Sequence, residues 1–482
     1  VRIRRKDDDM KQYTKLYIDG EWVDPIRSRG TFELVNPATE EAFASVALGD
    51  DQDVDRAVQA ARLAFPAFSA TTTAERIAML NRIAEVMHRR EADLMLAASQ
   101  EMGTPVSAVS HARAAVDQFK QGAAVLAEYE FERMLGANVI RREPIGVCGL
   151  ISPWNWPIQT ICTKLSSAIA AGCTVVVKPS EYTSVSAILI TEVLHEAELP
   201  RGVFNLVNGD GVVVGNAIST HGDIDMVSFT GSTRAGIQVA QAAAATVKRV
   251  CQELGGKSAH IIMPDADLQA AARFTIARGY ANSGQSCHAP TRVLVHESQA
   301  EQVLDLMSTE VRKLVVGDPM EPATNLGPVV NKAQFDRIQG YIRKGVEEGG
   351  RLICGGPGRP EGLERGYYVR PTVFADVRPD MTIAREEIFG PVLAVISYRT
   401  IDEAVEIANA TKYGLGGYVF ASTPEKARSV GERLRAGRIF CNGAGGNVVA
   451  PMGGYKQSGN GREMGVFGLE EYLEVKAMIG CA

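Results

Sequence analysis

From Ile145 onward the chain repeats one texture: a short apolar run, then a stretch long enough for a helix. Ile145-Gly146-Val147-Cys148-Gly149-Leu150-Ile151, Val175-Val176-Val177, Phe204-Asn205-Leu206-Val207 and Met226-Val227-Ser228-Phe229 are such runs, and segments such as 184–196 separate them. Strands that alternate with helices pair in parallel, because each helix returns the chain to the same end of the sheet. The runs are continuously apolar, as strands covered on both faces must be. After Gly255-Gly256 the alternation restarts. Residues 259–263, 292–295 and 392–397 read as strands, and 268–277, 299–314 and 401–410 as helices. The pattern predicts an α/β protein with two successive α/β units. With 482 residues, 45% of them hydrophobic, the chain has ample material for sizeable cores.

The segment before Ile145 is built differently. Leu16-Tyr17-Ile18-Asp19-Gly20-Glu21-Trp22 predicts a hairpin closed by the Asp-Gly pair. A second strand pair is expected around Phe32-Glu33-Leu34-Val35. Val54, Val58, Ala61 and Phe65 share one helical face, with Asp50 or Asp51 as the cap. Ile77, Leu80, Ala84 and Met87 continue that pattern, and Gly103 with Pro105 stops the next helix. A strand is placed at 247–251, just before Glu253. At the far end, 472–479 partly alternates, as a strand with one buried face would. Residues 1–9 are charged and lack an apolar signal core, so they are expected to form a mobile extension.

Composition excludes several function classes. The net charge of −6 gives no basic surface for nucleic acid or an anionic membrane. No apolar run reaches the length that spans a bilayer. The eight cysteines are scattered without a CxxC pair, which reads as reduced thiols in a cytoplasmic protein. The seven histidines show no recurring metal-ligand spacing. No metal site is expected, and His288 and the other histidines read as non-catalytic.

Several strings carry possible chemistry. Tyr280-Ala281-Asn282-Ser283-Gly284-Gln285-Ser286-Cys287 puts a thiol in a Gly-containing loop between a helix and a strand. Its thiolate would be a nucleophile. Glu253-Leu254-Gly255-Gly256 sets a carboxylate beside two glycines, where backbone can approach a ligand closely. Such a carboxylate activates water if its pKa is raised. Pro153-Trp154-Asn155-Trp156-Pro157 offers a carboxamide, either an oxyanion donor or a structural amide among packed rings. Phe229-Thr230-Gly231-Ser232-Thr233 opens a helix at a strand end, where a phosphate or a plain cap both fit. Val177-Lys178-Pro179-Ser180-Glu181 ends another strand with groups that bind ribose or simply pair with each other.

Taken in order, PWNWP, KPSE, FTGST, ELGGKS, GQSC, EEIFGP and GGYKQSG resemble the NAD(P)+-dependent aldehyde dehydrogenase superfamily, and the resemblance runs from about Leu16 to the end. It implies a variant Rossmann cofactor domain lacking the GxGxxG fingerprint, a second α/β catalytic domain and a small oligomerisation β-flap. The implied boundaries are 10–130 with 145–256, 257–458, and 131–144 with 471–482. The resemblance implies that Cys287 is the nucleophile, Glu253 the base for deacylation and Asn155 the oxyanion donor. It implies that NAD, or NADP, is held by Ile151, Ser152, Pro153, Trp154, Lys178, Ser180 and Glu181. Gly211, Phe229, Gly231, Ser232, Leu254, Glu387 and Phe389 complete the implied cofactor set. Glu181 would repel a ribose 2′-phosphate and so favours NAD. The implied partners are a small-molecule aldehyde, water as acyl acceptor and further copies of the chain in a homodimer or homotetramer. A glutamate at 253 favours water over coenzyme A as acceptor. A dinucleotide-binding structural protein without turnover is the alternative from another class. By the same resemblance, Ser286 and His288, which flank the nucleophile, and the loop 443–448 occupy positions that shape the substrate tunnel, and small residues there hint at room for a bulky or extended aldehyde.

Overall fold

The computed structural model describes residues 10–108 and 110–481, so the expected extension at 1–9 lies outside the described residues. Two large sheets organise it. The first has eight strands in the order Gly459–Asn460, Arg249–Glu253, Met226–Thr230, Val147–Ile151, Thr174–Lys178, Phe204–Leu206, Leu16–Ile18, Glu21–Val23. The middle five run parallel. The outer strands are antiparallel additions. Three of the apolar runs are buried at every position, as their continuous hydrophobicity requires.

Chain order makes one place in this sheet special. After Val147–Ile151 the chain adds Thr174–Lys178 and Phe204–Leu206 on one side. It then returns to lay Met226–Thr230 against the other side of Val147–Ile151. The connections leaving these two neighbours diverge, and a crevice opens at their carboxyl ends. The second sheet runs Arg351–Cys354, Thr372–Ala375, Val392–Tyr398, Arg292–His296, Ala259–Ile262, Gly416–Phe420, Arg438–Cys441, all parallel except the first. Only five residues, 254–258, join the carboxyl end of one sheet at Glu253 to the amino end of the other at Ala259. The crevice of the first sheet therefore faces loops that enter strands of the second.

The smaller elements follow their local chemistry. Asp19 (φ 53°) and Gly20 (φ 77°) form a two-residue turn with both residues left-handed, which matches the twist of the hairpin strands. That hairpin joins the large sheet through Tyr17 and Leu206, a pairing its sequence does not announce. Asp50 caps the helix Asp51–Ser69 by accepting from the N–H groups of Gln52 and Asp53, while Asp53 accepts from Asp50. Gly103, at φ 80°, ends the helix Glu91–Met102. Leu473–Met478 pairs with Asn138–Pro144, which pairs with Glu132–Leu135, in a separate three-stranded sheet. Among the described residues no helix is long and apolar enough to cross a membrane.

One expected element is displaced. The strand placed at 247–251 lies at Arg249–Glu253. Val247 has the residue type of a strand but sits at φ 56° in a turn, 91% exposed. The shift puts Glu253 on the sheet edge itself rather than in the loop beyond it.

The cap is directly testable. Asp50→Ala should lower the free energy of unfolding by about 1 kcal/mol in equilibrium urea denaturation, whereas Asp50→Asn, itself a good cap, should cost little.

Candidate active site

At the crevice lies a cavity of about 680 Å³. Cys287, Glu253 and Asn155 all line it. So do Pro153, Trp154, Gly231, Ser232 and Leu254 from the first sheet, and Glu387 and Phe389 from a loop entering the second. Three groups far apart in sequence thus share one cavity.

The loop before Cys287 is unusual backbone. Asn282 (φ 54°), Ser283 (φ 55°) and Gly284 (φ 75°) are left-handed in succession. Two of them carry side chains that disfavour this region, so the conformation must be held from outside. Asn282 Nδ2 donates to Asn155 O at 2.8 Å and to Gln285 O at 3.3 Å, and its Oδ1 accepts from Thr104 Oγ1 at 2.9 Å. Ser283 Oγ donates to Gly327 O at 2.8 Å. Gln285 Oε1 accepts from Val330 N at 2.9 Å. Asn155 Nδ2 donates to Gln285 O at 3.1 Å. The Asn155 carboxamide is therefore tied to the loop that carries the thiol.

The two glycines after Leu254 serve close approach, and their nearest neighbours are protein. A Cβ on Gly255 would lie 2.3 Å from Glu387 Oε2, and one on Gly256 2.4 Å from Cys287 O. Gly256 N also donates to Glu387 Oε1 at 2.9 Å. The backbone leaving Glu253 is thus pressed between the acid at 387 and the thiol loop.

Electrostatics set the protonation of the site. Burial pushes the Cys287 thiol up to about 12, and the Glu387 and Glu253 carboxylates push the same way. Glu253 is 3% exposed, and neither carboxyl oxygen has a hydrogen-bond partner among the described residues. Burial, then Glu463, raises its carboxyl well above the usual range, against an opposing pull from Lys164. Lys164 is itself buried; it pairs with the Glu463 carboxylate and donates to Ser228 Oγ at 3.0 Å. Beside the thiol, His288 Nδ1 lies 3.7 Å from Cys287 Sγ, and Arg278 Nη2 lies 2.5 Å from His288 Nε2.

Of the other expected cofactor residues, Ile151, Ser152, Lys178, Ser180, Glu181 and Gly211 do not line this cavity, whereas Ser232 and Phe389 do. Ile151 is register-paired with Lys178 on one side and Phe229 on the other. Ser152 is buried, with no partner for its hydroxyl among the described residues. Lys178 is buried, donates to Pro179 O at 2.6 Å and lies 3.7 Å from Glu181. Ser180 Oγ accepts from Tyr182 N at 3.4 Å. Gly211 opens a short turn that reaches Lys178 at Gly215. Ser232 caps the helix Thr233–Ala243 through Ala235 N at 3.2 Å, so its hydroxyl already has the plain capping role. Phe389, left-handed at φ 62°, packs edge-on against Trp154 with centroids 5.4 Å apart.

Arg278, Arg438 and Lys164's partner Glu463 line the cavity without having been singled out in the sequence, and His288, expected to be non-catalytic, lines it as well. Only His288 had a local signal, its adjacency to Cys287. Lys164 and Glu463 stand 299 positions apart, and nothing in either neighbourhood points to the other.

Comparison with known proteins agrees with this fold. Residues 22–478 match the model of the Aldehyde dehydrogenase family. The chain belongs to the aldehyde dehydrogenase family. It is 48% identical to a 3-succinoylsemialdehyde-pyridine dehydrogenase of a Pseudomonas species, over 98% of this chain and 99% of that one. Among solved structures, aldehyde dehydrogenase C of Pseudomonas syringae, a cysteine-to-alanine mutant complexed with NAD+ and octanal, superposes with a TM-score of 0.97. It is 51% identical, covering 100% of this chain and 99% of that one. Betaine aldehyde dehydrogenase of Staphylococcus aureus in complex with NAD+ gives a TM-score of 0.93 at 34% identity, covering 96% of this chain and 94% of that one.

The glycine contact yields a test. Gly256→Ala must move the Cys287 backbone, and a misplacement near 1 Å costs on the order of 100-fold in rate. We expect such a loss in kcat/KM with an unchanged far-UV circular dichroism spectrum.

Proposed function

We propose that this protein oxidises an aldehyde to a carboxylic acid with NAD+, through a thioester on Cys287 that Glu253-activated water hydrolyses. One observation carries this reading: Cys287, Asn155 and a buried Glu253 without a hydrogen-bond partner among the described residues line one cavity at the carboxyl edge of a doubly wound sheet. The relatives' NAD+ complexes support the cofactor.

The residues present fit that cofactor. The crevice sits where the strand order reverses, and the buried hydroxyls of Ser152 and Thr230 lack partners there among the described residues. Lys178, Ser180 and Glu181 would hold the adenosine ribose, with Ile151 beneath it. Gly211, Gly231 and Ser232 would lie along the pyrophosphate. Glu387 would hold the nicotinamide ribose, and Phe389 would pack near the ring with Trp154, Pro153, Leu254 and Phe229 around it. Glu181 favours NAD+, and NADP+ remains the other cofactor of the reading. When bound, the nicotinamide accepts a hydride.

The protein's own part is to capture, polarise and release. The Cys287 sulfur bonds to the aldehyde carbon, and the carbonyl oxygen takes the negative charge. The Asn155 carboxamide and the Cys287 N–H donate to that oxygen, worth about 2.7–4 kcal/mol in comparable sites. Loss of hydride from the carbon leaves a thioester, so one difficult step becomes two. Water then adds to the thioester carbon, giving its proton to Glu253. The carbon–sulfur bond breaks, and the acid leaves. Burial suits Glu253 to this role, because a carboxylate of raised pKa is a stronger base.

Long aldehydes fit the cavity's size. Octanal, named for one relative, and the succinoylsemialdehyde of another are both extended molecules. Gly446, Val448, Met452 and Met464 line the cavity with small or apolar groups. We place this aldehyde-oxidising chain in the cytoplasm as a homodimer or homotetramer. Its three-stranded sheet would be the flap that joins copies, with Met134, Leu135 and Val475 each more than half exposed on it. The cofactor unit would span 10–130 with 145–256, the catalytic unit 257–458, and the flap 131–144 with 471–482.

With NAD+ and a panel of aldehydes that includes octanal, the protein should form NADH and a free carboxylate in equal amounts. Cys287→Ser should form neither. Asn155→Ala should lower kcat about 10²–10³-fold. Unchanged turnover in Cys287→Ser, or an absolute need for coenzyme A, would refute the reading. The pH profile provides a second check. Glu253 acts as base only when ionised, so hydrolysis is lost as pH falls through its raised pKa. The acid limb of kcat should lie well above the 4.5 of an ordinary glutamate. A limb at 4.5 or lower would remove Glu253 from the step.

A further inference from the structure

We propose that His288 is a hydrogen-bond donor to the Cys287 sulfur, with its tautomer fixed by Arg278, and that this chain stabilises the thiolate against the thiol. The inference rests on Cys287 being the nucleophile. It assigns a role to two residues which that reading leaves idle.

The geometry leaves one arrangement of protons. Arg278 Nη2 lies 2.5 Å from His288 Nε2. A guanidinium has only donors and keeps its charge throughout the accessible pH range. Nε2 must therefore be the acceptor, with its lone pair toward Arg278. The proton of a neutral imidazole then resides on Nδ1. Nδ1 is the atom that faces Cys287 Sγ, at 3.7 Å, within reach for a bond to the large sulfur atom.

The surroundings keep the imidazole neutral. Burial, then Arg278 and Arg438, hold His288 down at about 3. His288 is thus a poor base for the thiol but a permanent donor. Tyr418 OH donates to His288 O at 2.8 Å, and the Tyr418 and Phe440 rings stack at 4.7 Å beside it. The imidazole lies nearly parallel to Phe440, with an interplanar angle of 21°. Arg438 is held by Asn447 O at 2.7 Å and Ala450 O at 2.8 Å.

The need for a donor is plain from the charges that face the sulfur. Glu253 and Glu387 oppose a thiolate, as does burial. Opposing them are the backbone N–H groups of Cys287 and His288. An uncharged donor at Nδ1 counters the acids without adding another buried charge.

The thiol itself provides the readout, independent of turnover. In the full-length protein, the rate of iodoacetamide alkylation of Cys287 is followed by mass spectrometry of its peptide across pH. His288→Ala should move the midpoint upward by about one pH unit, the usual worth of a hydrogen bond to a charged acceptor. His288→Asn, whose amide nitrogen can occupy the Nδ1 position, should restore most of that shift. Arg278→Met should free Nε2 from its donor, so that the ¹⁵N shifts report a mixture of Nδ1–H and Nε2–H forms in place of one. Imidazole ¹⁵N shifts in the wild-type protein should report the Nδ1–H form, and this holds even if a variant fails to fold. An unmoved midpoint in His288→Ala, or an Nε2–H imidazole in the wild type, would overturn the proposal. Loss of all turnover dependence on Cys287 would instead overturn the reading beneath it.

Discussion

The site depends on one close backbone contact. Glu253 is the last residue of a strand in one sheet, and three residues later Gly256 touches the carbonyl of Cys287 at a distance no side chain could share. Gly255 does the same to the Glu387 carboxylate. Between them these glycines bring the carboxyl edge of the first sheet against loops entering the second. The crevice, the thiol and the carboxylate become neighbours because the chain crosses between sheets at this point. A protein interior packs as densely as an organic crystal, so a contact this tight transmits any local displacement to the thiol loop.

Burying ionisable groups has a cost, and the structure meets it in different ways. Lys164 and Glu463 are buried as a pair, with Ser228 as a further partner for the ammonium. Glu387 is satisfied by the Gly256 N–H. Glu253 alone keeps both oxygens without partners among the described residues. An unsatisfied buried carboxyl is destabilising, and it persists where a ligand or water completes it. The left-handed run at Asn282, Ser283 and Gly284 is a second local cost, stabilised by Thr104 donating to Asn282 and by Ser283 donating to Gly327 O. Both costs fall beside Cys287, where binding and chemistry would draw on them.

Much of the scaffold was legible because its signals are local. The apolar runs at 175–177 and 226–229, the helix Ser184–Glu196, the Asp19-Gly20 turn and the Asp50 cap each follow from a few adjacent residues. The strand near Glu253 was misplaced because valine's β-propensity outweighed an unseen turn at Val247. At the site, Cys287, Glu253 and Asn155 could be named through a resemblance to a family, and their common cavity is a tertiary fact. The Lys164–Glu463 pair spans 299 positions, and Asn282 reaches Thr104 across 178 and Asn155 across 127, so no window of sequence contains them. His288 had its signal in plain view, next to Cys287, but its relevance needs Arg278 one helical loop away.

The central claim is that Cys287 holds the substrate covalently while Glu253 releases it. A trapped intermediate tests this most directly. Glu253→Gln, mixed with NAD+ and an aldehyde that the wild type oxidises, should accumulate one acyl group per chain. Peptide mass mapping should find it on Cys287, with a mass increase equal to the aldehyde less two hydrogens. An unmodified Cys287 peptide in a sample that has formed a full equivalent of NADH, or an acyl group on any other residue, would contradict the account.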